Sequence, residues 1–65
     1  MKVKRFADSN SRPITHWTED AEGNRNETDE CTIMSLWHKW SASKGCTRED
    51  NEEFTIFAFS EEIEY

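Results

Sequence analysis

The sequence predicts one small α+β domain, in which a sheet of three or four strands carries one packed helix in the order β-β-α-β. Three observations predict this class. Residues 28–45 place apolar side chains at helical spacing, residues 1–6 and 54–60 have strand-like patterns, and the chain has only 65 residues. A chain of this length forms one modest core, so we expect a single domain over residues 1–65.

The N-terminal part predicts two strands joined by a turn. Residues 1–6 (MKVKRF) alternate basic with apolar side chains, as a half-buried strand does. The polar residues 8–12 (DSNSR) form a turn that ends at Pro13. Residues 14–18 (ITHWT) are the second strand, and the charged residues 19–27 are a long loop or the polar tip of a hairpin.

Residues 28–45 predict a helix. Thr28 is the candidate N-cap, and the acidic residues after it favour the positive end of the helix dipole. The apolar face follows at offsets 0, 3, 4 and 7 and consists of Ile33, Leu36, Trp37 and Trp40. Lys44 and Gly45 mark the stop. A strand over the same residues is disfavoured because it sorts polar from apolar side chains poorly.

The C-terminal part predicts a turn and one more strand. Residues 47–53 (TREDNEE) form a charged turn. Residues 54–60 (FTIFAFS) carry apolar side chains on both faces, which is typical of a central strand, and residues 61–65 extend this strand or fray. The edges of so small a sheet stay open, which allows a homodimer or the addition of a strand from a partner.

Charge indicates the kind of partner. The formal net charge is −6, which argues against direct binding to nucleic acid and favours a protein partner with a basic surface. The charge lies in blocks: residues 1–12 and 31–48 carry +3 each, residues 13–30 carry −5 and residues 49–65 carry −7. Two cysteines without a secretory signal predict free thiols in the cytoplasm, and no apolar run is long enough for a membrane span.

No motif predicts catalysis, a metal ion or a cofactor. The candidate zinc ligands, His16, Cys31, His38 and Cys46, lack the close pairing by which two side chains reach one ion. A disulfide between Cys31 and Cys46 conflicts with the helix predicted between them, because that helix would separate their Cα atoms by about 20 Å. We expect a non-enzymatic protein. A minimal hydrolase with a Cys/His pair is the enzyme alternative, since such residues meet only in space.

The acidic clusters have two interpretations. They are solvated faces that keep the chain soluble, or they are carboxylates on a rigid frame that occupy the basic surface of a nucleic-acid-handling protein. The second interpretation describes a small virus-type inhibitor that mimics nucleic acid. Its candidate partner-binding residues are Glu19, Asp20, Glu22, Glu49, Asp50, Glu52, Glu53, Glu61 and Glu62, with Trp37 as an aromatic anchor.

A second functional class is a structural or regulatory interaction module that docks through an aromatic strand edge or a helix face. The phenylalanines of residues 54–60 are central to this choice. They resemble the stacking residues of single-strand-binding sheets, but the glutamates on both sides would repel a phosphate backbone. We therefore expect these rings to pack in the core.

Overall fold

The fold is a five-stranded antiparallel sheet with one helix on one face. The computed structural model describes residues 1–9, 15–43, 45–50 and 54–65. Its elements are β1 (Lys2–Ser9), β2 (His16–Glu19), β3 (Arg25–Glu27), α1 (Glu30–Ala42), β4 (Cys46–Asp50) and β5 (Phe54–Glu64). The strands lie in the order β3-β2-β1-β5-β4, so β1 and β5 form the centre of the sheet and β3 and β4 its edges.

The predicted α+β class is confirmed, but the predicted strand number and order are wrong in detail. The described chain runs β-β-β-α-β-β: the edge strands β3 and β4 lie where the sequence predicts a loop or hairpin tip and a turn. The first strand is longer than predicted and reaches Ser9, and residues 61–64 do extend the last strand. The predicted turn over residues 8–12 and the start of the second strand at Ile14 lie largely outside the described residues.

The β2–β3 hairpin occupies the segment predicted as a loop or hairpin tip. The backbone N–H of Gly23 donates to the Asp20 carbonyl at 3.1 Å, and the Asp20 N–H donates to the Asn24 carbonyl at 3.1 Å. Gly23 has a φ of 88°, a left-handed value that glycine adopts without strain. This is the three-residue hairpin loop in which a type I turn is followed by a left-handed residue.

The β4 strand contradicts the predicted turn over residues 47–53, of which residues 51–53 lie outside the described part. β4 pairs with β5 in a regular register from Cys46 opposite Phe59 to Asp50 opposite Thr55. Cys46 is half-buried against the core, whereas Thr47, Arg48 and Glu49 are exposed. An edge strand whose side chains are mostly exposed shows no apolar alternation, so the sequence pattern does not reveal it and its pairing with β5 defines it.

The helix α1 confirms the predicted apolar face but not the predicted cap. Ile33 and Leu36 are buried, while Trp37 and Trp40 are half-buried against the same core. The N-cap is Asp29 and not Thr28: the Asp29 carboxylate accepts the Thr32 N–H at 2.7 Å. The helix ends at Ala42 with Ser43 as C-cap, before the predicted stop at Gly45, and Lys44 lies outside the described residues.

The core lies between α1 and the face of the sheet that it covers. Its buried members are Val3, Phe6, Ile33, Leu36, Phe57 and Phe59. The Phe6 and Phe57 rings stack with centroids 4.9 Å apart, and the Trp37 ring meets Phe57 edge-on at 4.4 Å. Core packing of Phe57 and Phe59 is therefore confirmed. The side chain of Phe54 is outside the described part.

The opposite face of the sheet is only partly covered. Alternation along the strands places Trp17 of β2 opposite Ala7 of β1, and Ala7 opposite Ile56 of β5. Trp17 is 7% exposed and the Arg25 guanidinium lies 3.9 Å from its ring centroid. On the helix side of β5, Phe57 and Phe59 are buried, but Thr55, Ile56 and Ala58 are half-buried, so the prediction that both faces of β5 are buried holds only in part.

Candidate binding surface

Four carboxylates stabilise the fold itself. Asp20 closes the hairpin loop by accepting the N–H groups of Glu22 and Asn24, each at 2.9 Å. Asp29 caps α1. Glu64 accepts the N-terminal ammonium of Met1 at 2.7 Å, and this joins the chain ends. The fourth is Asp8, with Oδ1 3.4 Å from His16 Nδ1, an ion pair when His16 is protonated.

Hydrogen bonds keep three of these carboxylates ionised. The Asn24 backbone N–H is the main cause that lowers the pKa of Asp20, and the Thr32 backbone N–H is the main cause for Asp29. The hydrogen bond from the N-terminal ammonium lowers the pKa of Glu64. In each case the bond favours the charged form of the carboxyl group. These charges are therefore committed to intramolecular contacts.

A second set of seven carboxylates makes no hydrogen bond or ion pair to any residue that the structure describes. They are Glu19, Glu22, Glu27, Glu30, Glu49, Glu61 and Glu62. All are exposed except Glu19, which is half-buried. Since no cation or donor in the described part of the chain satisfies them, these side chains can meet the charges of a partner. We call this set the unpartnered carboxylates.

The predicted site residues fall into separate groups. Glu19, Asp20 and Glu22 belong to the β2–β3 hairpin, whose loop borders an open cavity of about 310 Å³ that Lys4 and Arg5 also line. Glu61 and Glu62 lie on the far side of β1, in the last part of β5. Because β1 separates these two groups, its basic side chains interrupt the acidic surface at this end of the sheet.

The other predicted residues do not join these groups. Glu49 and Asp50 lie on the edge strand β4, three strands away from Glu19 in the sheet order. The side chain of Asp50 and all of Glu52 and Glu53 lie outside the described residues. The structure thus distributes the predicted site over both edges of the sheet.

Trp37 contributes more to the core than to the surface. Its ring packs against Phe57, Trp40 and Phe6, at centroid distances of 4.4, 5.3 and 6.4 Å. The Trp37 side chain is half-buried. The large apolar side chains that are most exposed among the described residues are Met1 and Met34, at 59% and 50%. Docking through Trp37 remains a prediction.

Two residues outside the predicted site belong to the unpartnered carboxylates. Glu27 ends β3, and Glu30 begins α1 beside the N-cap. Glu27 also lines a second cavity of about 250 Å³ with Thr15, His16 and Thr28. The acidic composition of residues 19–30 includes Glu27 and Glu30. It does not show that they lack hydrogen bonds while Asp20 and Asp29 accept backbone N–H groups; only the structure shows this difference.

The residues considered for chemistry are spread over the fold. Cys31 is exposed in the first turn of α1, Cys46 begins β4, and both are free thiols. Within residues 1–9, 15–43, 45–50 and 54–65, no three histidine, cysteine or acidic side chains are grouped to hold a metal ion. The helix of the described part is too short and too polar to cross a bilayer.

Comparison with known proteins gives no relative: no family model, curated protein or solved structure matches the chain. The distribution of charge and of exposed backbone on this fold is therefore the basis for a functional proposal.

Proposed function

We propose that this chain is a non-enzymatic binding protein that docks on a basic surface of a protein partner, in the manner of a small inhibitor that mimics nucleic acid. The observation that carries the proposal is the set of seven unpartnered carboxylates. A carboxylate already bonded inside the fold contributes little to a new contact, whereas an unsatisfied one attracts and orients a cationic partner. Free phosphate chains would be repelled by the same charges.

The rigidity of the frame supports this function. Five of the unpartnered carboxylates lie on strands, one on α1 and one in the hairpin loop that Asp20 closes. Charges held on ordered backbone lose less conformational freedom when a partner binds, and this raises affinity. The free thiols of Cys31 and Cys46 are consistent with the reducing cytoplasm, where we place the protein.

The test is affinity capture with a charge-depleted variant as comparison. The wild-type chain and a variant with Glu22, Glu49, Glu61 and Glu62 replaced by glutamine are immobilised and exposed to an extract of the native host. We expect the wild type to retain a protein with a basic surface, released between low and high salt, and the variant to lose it. Retention by the variant, or retention insensitive to salt, would contradict the proposal.

One observation favours the interaction module as a second candidate. The outer face of α1 is poor in charge, although 34% of the whole chain is charged. Its exposed residues are Glu30, Cys31, Met34, Ser35, His38, Lys39, Ser41 and Ala42, of which two, Glu30 and Lys39, are charged. A matched variant, Met34→Gln with Ser35→Gln, separates the two functions. It should bind the partner as the wild type does, and loss of binding would support docking through the helix.

A further inference from the structure

The last part of β5 has one uncovered edge. Beside it, β4 pairs with β5 as far as Cys46 opposite Phe59, and the Ser60 N–H then donates to the Gly45 carbonyl at 2.9 Å. β5 continues for residues 61–64, where Ile63 and Glu64 pair with Val3 and Lys2 of β1. A register shift between Val3 and Arg5 leaves Glu61 and Glu62 without a paired residue on β1. We call the outer side of residues 61–64 the β5 edge.

The hydrogen-bond pattern shows which backbone groups this edge presents. Met1 and Tyr65 exchange both of their bonds, from Tyr65 N to Met1 O at 3.0 Å and from the Met1 ammonium to Tyr65 O at 3.1 Å. Bonded and non-bonded pairs alternate in antiparallel strands, so the next pair, Lys2 and Glu64, is non-bonded. The N–H and C=O groups of Glu64 therefore point away from β1.

Glu62 presents the same kind of group. The Ser60 N–H points toward the side of β4, since it bonds to Gly45. On the other side of Glu62, Ile63 and Val3 form the bonded pair that follows Lys2 and Glu64, so the backbone groups of Glu62, like those of Glu64, point away from β1. No described residue donates to them or accepts from them. The β5 edge thus offers two consecutive pairing positions, which is the feature that strand addition uses.

The side chains of the β5 edge define the charge of the added strand. Glu61 and Glu62 are exposed members of the unpartnered carboxylates. Glu64 is already neutralised by the N-terminal ammonium, and Lys2 and Lys39 also lower its pKa. The attraction must therefore come from Glu61 and Glu62. A second copy of this edge would bring like charges together, whereas a segment rich in lysine or arginine complements them.

We propose that the β5 edge binds an extended, lysine- or arginine-rich segment of a partner protein as an added strand. The backbone of the segment pairs with Glu62 and Glu64, and its cationic side chains lie beside Glu62 on one face of the sheet and beside Glu61 on the other. This proposal rests on the proposed function, because it specifies how a basic partner is bound.

The experiment titrates the full chain with a short blocked peptide of alternating lysine and valine. A peptide with proline in place of each valine has the same charge, but it loses every second N–H donor and its rings favour the polyproline II conformation over a strand. Amide chemical shifts and hydrogen exchange are measured for each backbone N–H. We expect the first peptide to shift and protect the Glu62 and Glu64 amides and the proline peptide to leave both unprotected.

Two variants separate backbone pairing from charge. Glu62→Pro removes an outward N–H that makes no bond to β1, and we expect it to weaken peptide binding about tenfold. Glu61→Gln with Glu62→Gln keeps the backbone donors and should weaken binding in a salt-dependent way. Asp8→Asn, the control, removes one carboxylate that lies outside the unpartnered set and beside His16, and it should leave the affinity unchanged.

Several results would overturn the proposal. One is peptide binding that is equal in the wild type and Glu62→Pro, or equal for the two peptides. Another is amide protection at Glu62 and Glu64 that rises with protein concentration alone, which would assign the edge to a second copy. If Glu62→Pro does not fold, the exchange data on the wild type and the glutamine variant decide. If the affinity capture retains a basic protein in a salt-sensitive way but the peptide does not bind the β5 edge, only the strand-addition proposal fails. If the capture retains no basic protein, the proposed function and the strand-addition proposal both fail.

Discussion

The hydroxyl of Thr18 is the clearest defect in the core, and its removal should stabilise the protein. Thr18 is 1% exposed and lies opposite Phe6 on the face that α1 covers. Its Oγ1 has no hydrogen-bond partner among the described residues. A buried hydroxyl without a partner costs about 1–3 kcal/mol, and Thr18→Val replaces it with a methyl group of similar shape. We expect the free energy of unfolding to rise by about 1–2 kcal/mol.

Urea and thermal unfolding, followed by tryptophan fluorescence and circular dichroism, measure this change. A gain of 1 kcal/mol should raise Tm by about 4–8 °C in a domain of this size, with an unchanged urea m-value. Thr47→Val is the matched control: Thr47 is exposed on the edge strand β4 and its hydroxyl makes only a long bond, 3.4 Å, to the Ala58 carbonyl, so stability should change by less than about 0.5 kcal/mol. If Thr18→Val leaves stability unchanged or lowers it, then the Thr18 hydroxyl has a bonding partner and the reasoning is wrong.

Three further predictions concern the caps and turns. Asp29→Ala should lower Tm and helix content while Thr28→Ala should not, because only the Asp29 carboxylate accepts an N–H of α1; equal effects in circular dichroism would contradict this cap. The pKa values of Asp20, Asp29 and Glu64 are lowered from ordinary values of 3.8, 3.8 and 4.5, so their stabilisation is complete above those values and is lost as pH falls through the lowered ones. Acid titration of tryptophan fluorescence should therefore show unfolding only at strongly acidic pH, and a flat profile there would be inconsistent with these bonds. Gly23→Ala should lower the free energy of unfolding by about 1 kcal/mol because Gly23 has a φ of 88°, and Gly23→Asn should cost less, as urea unfolding can measure.

The helix was predictable because apolar residues at helical spacing mark the face that is buried in the core. Ile33 and Leu36 are buried, and Trp37 and Trp40 border them, as the spacing requires. The cap was missed by one residue because Thr28 and Asp29 are both good cap residues. The Thr28 N–H bonds to the His16 carbonyl at 3.0 Å, so Thr28 still belongs to the hairpin. A tertiary contact, which no local pattern contains, decides between them.

The two edge strands were not predictable from apolar alternation. β3 has three exposed residues, and the described side chains of β4 are exposed after Cys46. The hairpin did carry one usable signal, since Asp20 and Gly23 have the spacing that a type I turn favours at its first and fourth positions. β4 has no such signal, because its pairing with β5 depends on backbone groups that every sequence possesses.

The orientation of β2 shows why the pattern of a short strand can mislead. In residues 14–18 the tryptophan is the obvious core residue, yet Thr18 lies on the helix side and Trp17 on the other. Trp17 is buried all the same, because Arg25 of β3 covers its ring. Both faces of β2 are covered and its pattern has one strongly apolar position, so the pattern alone does not show which face turns toward the helix.

The same reasoning applies to the candidate site. Composition counts 14 acidic residues and cannot distinguish them. The fold distinguishes them by geometry, since Asp20, Asp29 and Glu64 each satisfy backbone or terminal donors and Glu61 and Glu62 satisfy none that the structure describes. Substitution of the first group should therefore change stability more than binding, and substitution of the second should do the reverse. Because both groups carry the same chemical function, this reversal can arise only from their positions in the fold.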